Sequence, residues 1–308
     1  MIQHFSKLFK KKTGKVNRET GIDKTFSILN VFMVILFCVA TIYPFVYVVS
    51  ASFSSPESIQ QNKVVLLPVG PVSTDAYKLI FRDARIWRGY ANTLFYAGFG
   101  VIINLIVTIL AAYPMSRRTF SGRKFMNIMV VVTMFISPTA VMIPLFLLVK
   151  NLGMYDTRLA ILIVFAAHAF LIILMRSFFQ SIPEEMFEAA KIDGAGEFTI
   201  LMKIVLPVSM ASLATMGMYY LIQRWNGYFW AMIFLKDETK FPLQVILRQL
   251  IVIARMGEEM DAAISRTQTN AQAVQYSTIV ASTLPMIVIY PFIQRFFIKG
   301  ATLGSVKG

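Results

Sequence analysis

Acidic residues are scarce in this chain: 16 Asp and Glu stand among 308 residues, all charged side chains together make 15%, and apolar ones make 56%. A water-facing domain carries nearer a quarter charged residues, so a soluble globular surface is excluded. The chain is read as an integral membrane protein. Cysteine is limited to Cys38, inside an apolar run, which removes a disulfide scaffold. Histidine is limited to His4 and His168, and no His-Glu-x-x-His, cysteine pair or Gly-x-Ser-x-Gly occurs. No catalytic group and no metal ligand set follows. With 16 Gly and 12 Pro, collagen-like and disordered classes fall away as well.

What the chain does have is long apolar runs. Six are long enough to cross a hydrocarbon core of about 30 Å as helices, at about 1.5 Å per residue. They cover approximately 26–49, 93–113, 126–149, 159–175, 208–235 and 274–297. Because the runs are continuous rather than alternating, helices are expected and a barrel is not. The fold class is therefore all-α integral membrane, with six transmembrane helices. The first run is too long for the core of a signal peptide and reads as an uncleaved span.

The net charge of +14 follows the loops. Seven Lys or Arg lie in the basic segment 1–25, and Arg117, Arg118, Arg123 and Lys124 crowd one short loop without an acid. Basic residues bordering spans hold loops on the cytoplasmic side, which places both termini there and leaves no case for nucleic-acid binding. The longest opposite connection contains Leu243–Ala254, apolar but interrupted by Arg248. It reads as a helix lying on the outer surface or packed on the bundle, and a seventh crossing would reverse the C-terminus.

The spans contain no Asp, Glu or Lys, which disfavours a self-powered carrier. No Gly-x-x-x-x-Gly-Lys-[Ser/Thr] loop is present, so any power from ATP must come from another subunit. His168 sits in the fourth span either as a hydrogen-bonded bundle residue or as part of a pathway. Tyr219, Gln223, Asn226 and Trp230 recur at helical spacing on one face of the fifth span. Such a face lines a sugar path by stacking and amide hydrogen bonds, or forms an interfacial aromatic belt. Arg224 beside them either snorkels to the interface or faces a watery cavity and favours an anionic or highly hydroxylated solute. Pro138 and Pro144 are expected to bend the third span, Pro285 and Pro291 the sixth.

Between the fourth and fifth spans lies the loop 181–207. Ser181 with Glu184 has the spacing of a capping box, and Gly194-Ala195-Gly196 supplies a break between two short helices. Met186, Phe187 and Ala190 give the first an apolar face; Phe198, Leu201, Met202 and Val205 do so for the second. Glu188 and Asp193 are left for polar contacts.

Glu188-Ala189-Ala190, then Asp193-Gly194, then Leu206-Pro207 resembles the EAA signature of the permeases of ATP-binding-cassette importers. Further likeness lies in Asn92-Thr93, Ala111-Ala112-Tyr113, Ser116-Arg117, Gly122-Arg123, Trp225-Asn226 and the ending 300–308, and it narrows to the carbohydrate-uptake class, the subunit with a C-terminal tail in maltose and multiple-sugar transporters. Pro114 after Tyr113, and Arg224 before Trp225-Asn226, depart from that pattern. The resemblance implies a permease domain over 26–297 with a cytoplasmic coupling loop at 181–207, in the plasma membrane of a prokaryote, with a cytoplasmic tail at 298–308 that is either a frayed end or reaches between the ATPases. It implies a second homologous permease subunit, two cytoplasmic ATPase subunits that hold ATP and Mg, and an extracytoplasmic solute-binding protein delivering a sugar, an oligosaccharide by preference. The alternatives are a self-contained secondary carrier or channel and a membrane-anchored scaffold.

Overall fold

The computed structural model describes residues 21–261 and 271–303, and these are helices joined by turns and loops, without a strand among them. The basic segment up to residue 20 and the tail beyond 303 lie outside the described residues. Among the described residues three helices are long and apolar enough to cross a membrane: α1 (Gly21–Phe53), α2 (Ala84–Ser116) and a last helix over Ala271–Leu303 whose apolar part is Gln272–Pro291. Along most of α1 nothing covers the side chains: Phe26, Phe32, Ile35, Phe37 and Phe45 are all exposed. A contiguous apolar surface of that size is untenable in water and is what lipid solvates. From Tyr47 onward α1 packs through Ala51 on Ala273 and Tyr276.

The third and fourth expected spans are not continuous helices. Residues 126–149 divide into α3 (Arg123–Met134) and α4 (Met142–Asn151). Pro138 explains the division, since it has no N–H to donate and forces the preceding residue out of the helical region. Pro144 bends nothing, because it falls in the first turn of α4, where the missing donor has no helical acceptor. Residues 159–175 divide into α5 (Arg158–Ile163) and α6 (Ala169–Gln180), with no proline between them. Pro285 and Pro291 lie inside the last helix, which stays unbroken.

The loop that follows folds as two short helices, α7 (Glu184–Ile192) and α8 (Glu197–Ile200). The capping box does not form: α7 starts after Pro183 without a side-chain cap, and the Ser181 hydroxyl donates to the carbonyl of Phe178. After α8 the backbone widens into a π-turn over Leu201–Val205 before Pro207. Proline at 207 cannot donate to the carbonyl four residues back, and a wider turn relieves that mismatch. The segment Glu197–Val208 then meets α9 (Met210–Trp225) at 81°. The expected fifth span thus begins at a sharp corner and breaks again at Asn226 and Gly227, both poor helix formers, before α10 (Tyr228–Phe234).

The Leu243–Ala254 helix is real and packed: α11 (Leu243–Asp261) buries Leu243, Val245, Ile246 and Leu247 against Ile86, Trp225, Ala231 and Leu235. Its first backbone N–H, on Leu243, donates to Thr93 Oγ1 at 2.8 Å, and Asn92 Nδ2 donates to the carbonyls of Thr239 and Phe241 just before it. Two polar residues of α2 therefore anchor the start of α11. The helix Ala271–Leu303 is α12.

Candidate functional site

Polar chemistry gathers at a cavity at the breaks in the helices and at the loop carrying α7 and α8.

The cavity has a volume of about 380 Å³ and lies where the α3/α4, α5/α6 and α9/α10 breaks meet. Thr133 and Pro138 come from the first break, Phe165 and His168 from the second, and Gln223, Arg224 and Trp230 from the third. A helix break exposes unpaired carbonyls, and within a membrane these must find partners. Arg224 supplies them: its guanidinium donates to the carbonyls of Ile161, Leu162 (2.9 Å) and Phe165 (3.4 Å), and to Asn104 Oδ1 (2.6 Å) on α2. The side chain neither snorkels nor stands free. It clasps the C-terminal end of α5 to α2 and α9. Gly100 makes room for it, since a Cβ there would lie 2.8 Å from Arg224 Nε.

Of the five fifth-span candidates, Gln223, Arg224 and Trp230 border this cavity, while Tyr219 and Asn226 do not. The single face expected for Tyr219, Gln223, Asn226 and Trp230 is interrupted because the helix stops at Trp225. Asn226 turns its amide back to the carbonyl of Ile222 at 3.0 Å. Trp230 packs on Phe165 and Phe234, which forms an aromatic wall. His168 lines the cavity with its Nδ1 buried and without a partner among the described residues.

In the loop, α7 ends in a Schellman motif. Gly194 has φ +77°, the Gly194 N–H donates to the Lys191 carbonyl at 3.0 Å, and the Ala195 N–H donates to the Ala190 carbonyl at 2.9 Å. A side chain at 194 would strain that left-handed turn. The inner face of the loop is fixed to the bundle through Phe187, Ala190, Ile200, Leu201 and Val205, all buried. Met186, Phe198 and Met202, expected on that face, point outward instead, because the helix pair packs through Ile200 rather than Phe198.

Two residues near the end of α2 hold this loop, and the sequence reading missed both roles. Arg117, 5% exposed, lies with its guanidinium 3.6 Å from the centre of the Phe187 ring and 3.3 Å from Glu184. Tyr113, one turn earlier, donates from its hydroxyl to Glu197 Oε2 at 2.6 Å, and Lys191 pairs with the same carboxylate at 3.1 Å. The Tyr113 hydrogen bond, with Lys191 second among the favourable contacts, holds the Glu197 carboxyl below its ordinary range. Tyr113 lies in the last turn of α2 and Arg117 just beyond its end, and nothing in the sequence named their distant partners.

On the outward face of the same loop, Glu188, Ala189, Asp193 and Gly194 are exposed, with Ile192 (86%) and Phe198 (73%) beside them. Glu188 and Asp193 make no ion pair or hydrogen bond through their side chains to other described residues. Leu206 is half-buried and Pro207 exposed at the corner before α9. No group of three or more His, Cys, Asp or Glu side chains able to hold a metal occurs among the described residues.

Residues 104–303 match the family described as the binding-protein-dependent transport system inner membrane component. The polygalacturonan/rhamnogalacturonan transport system permease protein YtcP of Bacillus subtilis is 37% identical over 287 residues, 93% of this chain and 99% of that protein. The melibiose/raffinose/stachyose import permease protein MelC of the same organism is 31% identical over 240 residues, 77% of this chain and 82% of that one. Among solved structures, a chain of a bacterial ABC transporter involved in the import of the acidic polysaccharide alginate is similar with a TM-score of 0.80 and 40% identity, covering 92% of this chain and 100% of that one.

Proposed function

Given that the chain belongs to the family of binding-protein-dependent transport system inner membrane components, we propose that it forms one half of the translocation path of an ATP-driven importer for an acidic oligosaccharide. A second homologous permease supplies the other half, an extracytoplasmic solute-binding protein delivers the sugar, and two cytoplasmic ATPase subunits hold ATP and Mg. This chain is a non-catalytic membrane subunit.

In this reading six crossings are made by α1, α2, α3 with α4, α5 with α6, α9 with α10, and α12. The lysines and arginines near the N-terminus and at Arg117 to Lys124 keep both termini and the α7–α8 loop on the cytoplasmic side. The sugar passes the cavity bordered by Gln223, Arg224 and Trp230, where the aromatic wall offers a stacking surface and Gln223 an amide. Tyr219 and Asn226 stand away from that cavity; Tyr219 is left to the surface that meets the second permease, and the Asn226 amide closes its own helix end.

The observation that carries the reading is the two-sidedness of the loop. Its inner face is pinned to the bundle by Arg117, Tyr113 and Phe187, whereas its outer face leaves Glu188, Ala189, Ile192, Asp193 and Phe198 uncovered. A surface mixing unpaired acids with exposed apolar groups fits a cleft on a partner. Closure of the ATPases then moves α7 and α8, and the corner at Leu206-Pro207 turns that displacement into rotation of α9. Gly194 keeps the elbow in shape.

The acidic nature of the solute rests on relatives. Two that are 37% and 40% identical serve acidic polysaccharides by their names, and one that serves neutral galactosides is 31% identical. The test is uptake of galacturonate oligomers into vesicles holding the purified four-subunit complex. Accumulation that needs both ATP and the binding protein is expected. Uphill accumulation by this chain alone would overturn the proposal, as would labelling that finds Glu188 on the outer side of cells.

A further inference from the structure

A second cavity, of about 420 Å³, lies between the start of α10, the first turns of α11 and the third turn of α12. Its polar lining is Tyr228, Gln244, Arg248, Thr278 and Ser282, set among aliphatic side chains. Arg248 is the residue that interrupts the apolar run of α11, and the translocation reading gives it no task. Its guanidinium lies 4.8 Å from the centre of the Tyr228 ring, and no ion pair to it exists among the described residues. A ring face holds a guanidinium in place while its N–H edge stays free, which is the geometry for receiving a carboxylate by two parallel hydrogen bonds. Thr278, 1% exposed, backs the same cavity. Gln244 adds an amide, and the Ser282 hydroxyl, which donates to the Ile279 carbonyl at 2.8 Å, keeps lone pairs to accept with.

We infer that this second cavity is a subsite for a uronate residue of the transported oligosaccharide, with Arg248 reading the sugar carboxylate and Tyr228 and Gln244 its ring and hydroxyls. The contrast with Arg224 supports the assignment. There the guanidinium is occupied by four protein acceptors, and a carboxylate would have to displace them. Arg248 has only a ring to leave. The volume also falls within the range of ordinary small-molecule sites. The inference rests on the acidic-oligosaccharide reading and deepens it.

The test compares uptake of trigalacturonate with uptake of its methyl ester, which has the same ring and no charge, by the reconstituted complex with its binding protein. The binding protein's own preference is common to wild type and variants, so it cancels when their ratios of acid to ester uptake are compared. Arg248→Gln is expected to lower that ratio about tenfold, as loss of a charge-assisted pair does, and Arg248→Lys by less, because a point charge keeps attraction but not the two-bond geometry. An unchanged ratio in Arg248→Gln, or equal loss of acid and ester uptake, overturns the subsite while leaving the importer reading intact. Wild-type complex that moves only neutral sugars overturns both.

Discussion

Arg117 and Arg224 are both tied into the bundle, but by different chemistry. Arg117 is held by side chains of a neighbouring segment, the Glu184 carboxylate and the face of Phe187, in a pair that has a counter-charge. Arg224 has no acid beside it among the described residues; backbone carbonyls at the end of α5 and the amide of Asn104 take its protons. The first arrangement joins a rigid helix to a loop that must move. The second closes a wound in the bundle itself. An arginine in a membrane protein is thus read from its acceptors: a carboxylate on another element marks a joint, and main-chain carbonyls mark a structural clasp.

The contrast breaks most severely at Arg224. Arg224→Ala leaves three carbonyls and an amide oxygen without donors, at about 1–3 kcal/mol for each group that water does not reach. The expected result is a large loss of complex recovered from membranes in detergent, and of its thermal stability, rather than an altered sugar preference. Arg224→Lys does not restore it, because one ammonium cannot reach all four acceptors. Stable complex with changed selectivity would move Arg224 into the class of Arg248.

Arg117 comes next. In Arg117→Ala the complex assembles, while the loop loses its counter-charge and ring contact, together worth about 2–3 kcal/mol. Uptake per ATP hydrolysed is expected to fall about tenfold, with hydrolysis retained. Exchange of the pair, Arg117→Glu with Glu184→Arg, should regain part of the loss, a rescue that no partner of Arg224 permits.

Tyr113→Phe sharpens the comparison at smaller amplitude, about 1 kcal/mol for one hydrogen bond to a carboxylate that is half exposed. Because the Glu197 carboxyl is held below its ordinary range, this contribution is complete above that range and lost as pH falls through the lowered value. Thermal melts of the complex at falling pH should therefore separate wild type from Tyr113→Phe near neutrality and merge in acid. The smallest effect is assigned to Asn226→Ala. Its amide serves only its own helix end, and uptake should stay within about twofold of wild type.

How far these features can be read from the sequence varies by place. Long uncharged runs gave α1, α2 and the apolar part of α12 directly, because lipid asks only for length and hydropathy. Gly194 was legible as an elbow because the left-handed residue that ends a helix is most often glycine. The break at Pro138 was half legible, as a bend that became an interruption. The break between Ile163 and Ala169 was not legible at all, since nothing in Val164 to His168 disfavours a helix in lipid; its carbonyls are released because Arg224, far along the chain, accepts the task of satisfying them. The same long-range dependence hid the roles of Tyr113 and Arg117, and the outward turn of Phe198. Periodicity finds a face but not the partner that the face meets.

The central claim is that force enters this subunit through the outer face of the α7–α8 loop. It is tested most directly by measuring ATP hydrolysis and galacturonate uptake on the same vesicles for Glu188→Arg and Gly194→Asp. The account predicts subunits that insert and assemble, hydrolysis that continues, and uptake that falls to background. Wild-type uptake and wild-type stoichiometry in both variants would contradict it.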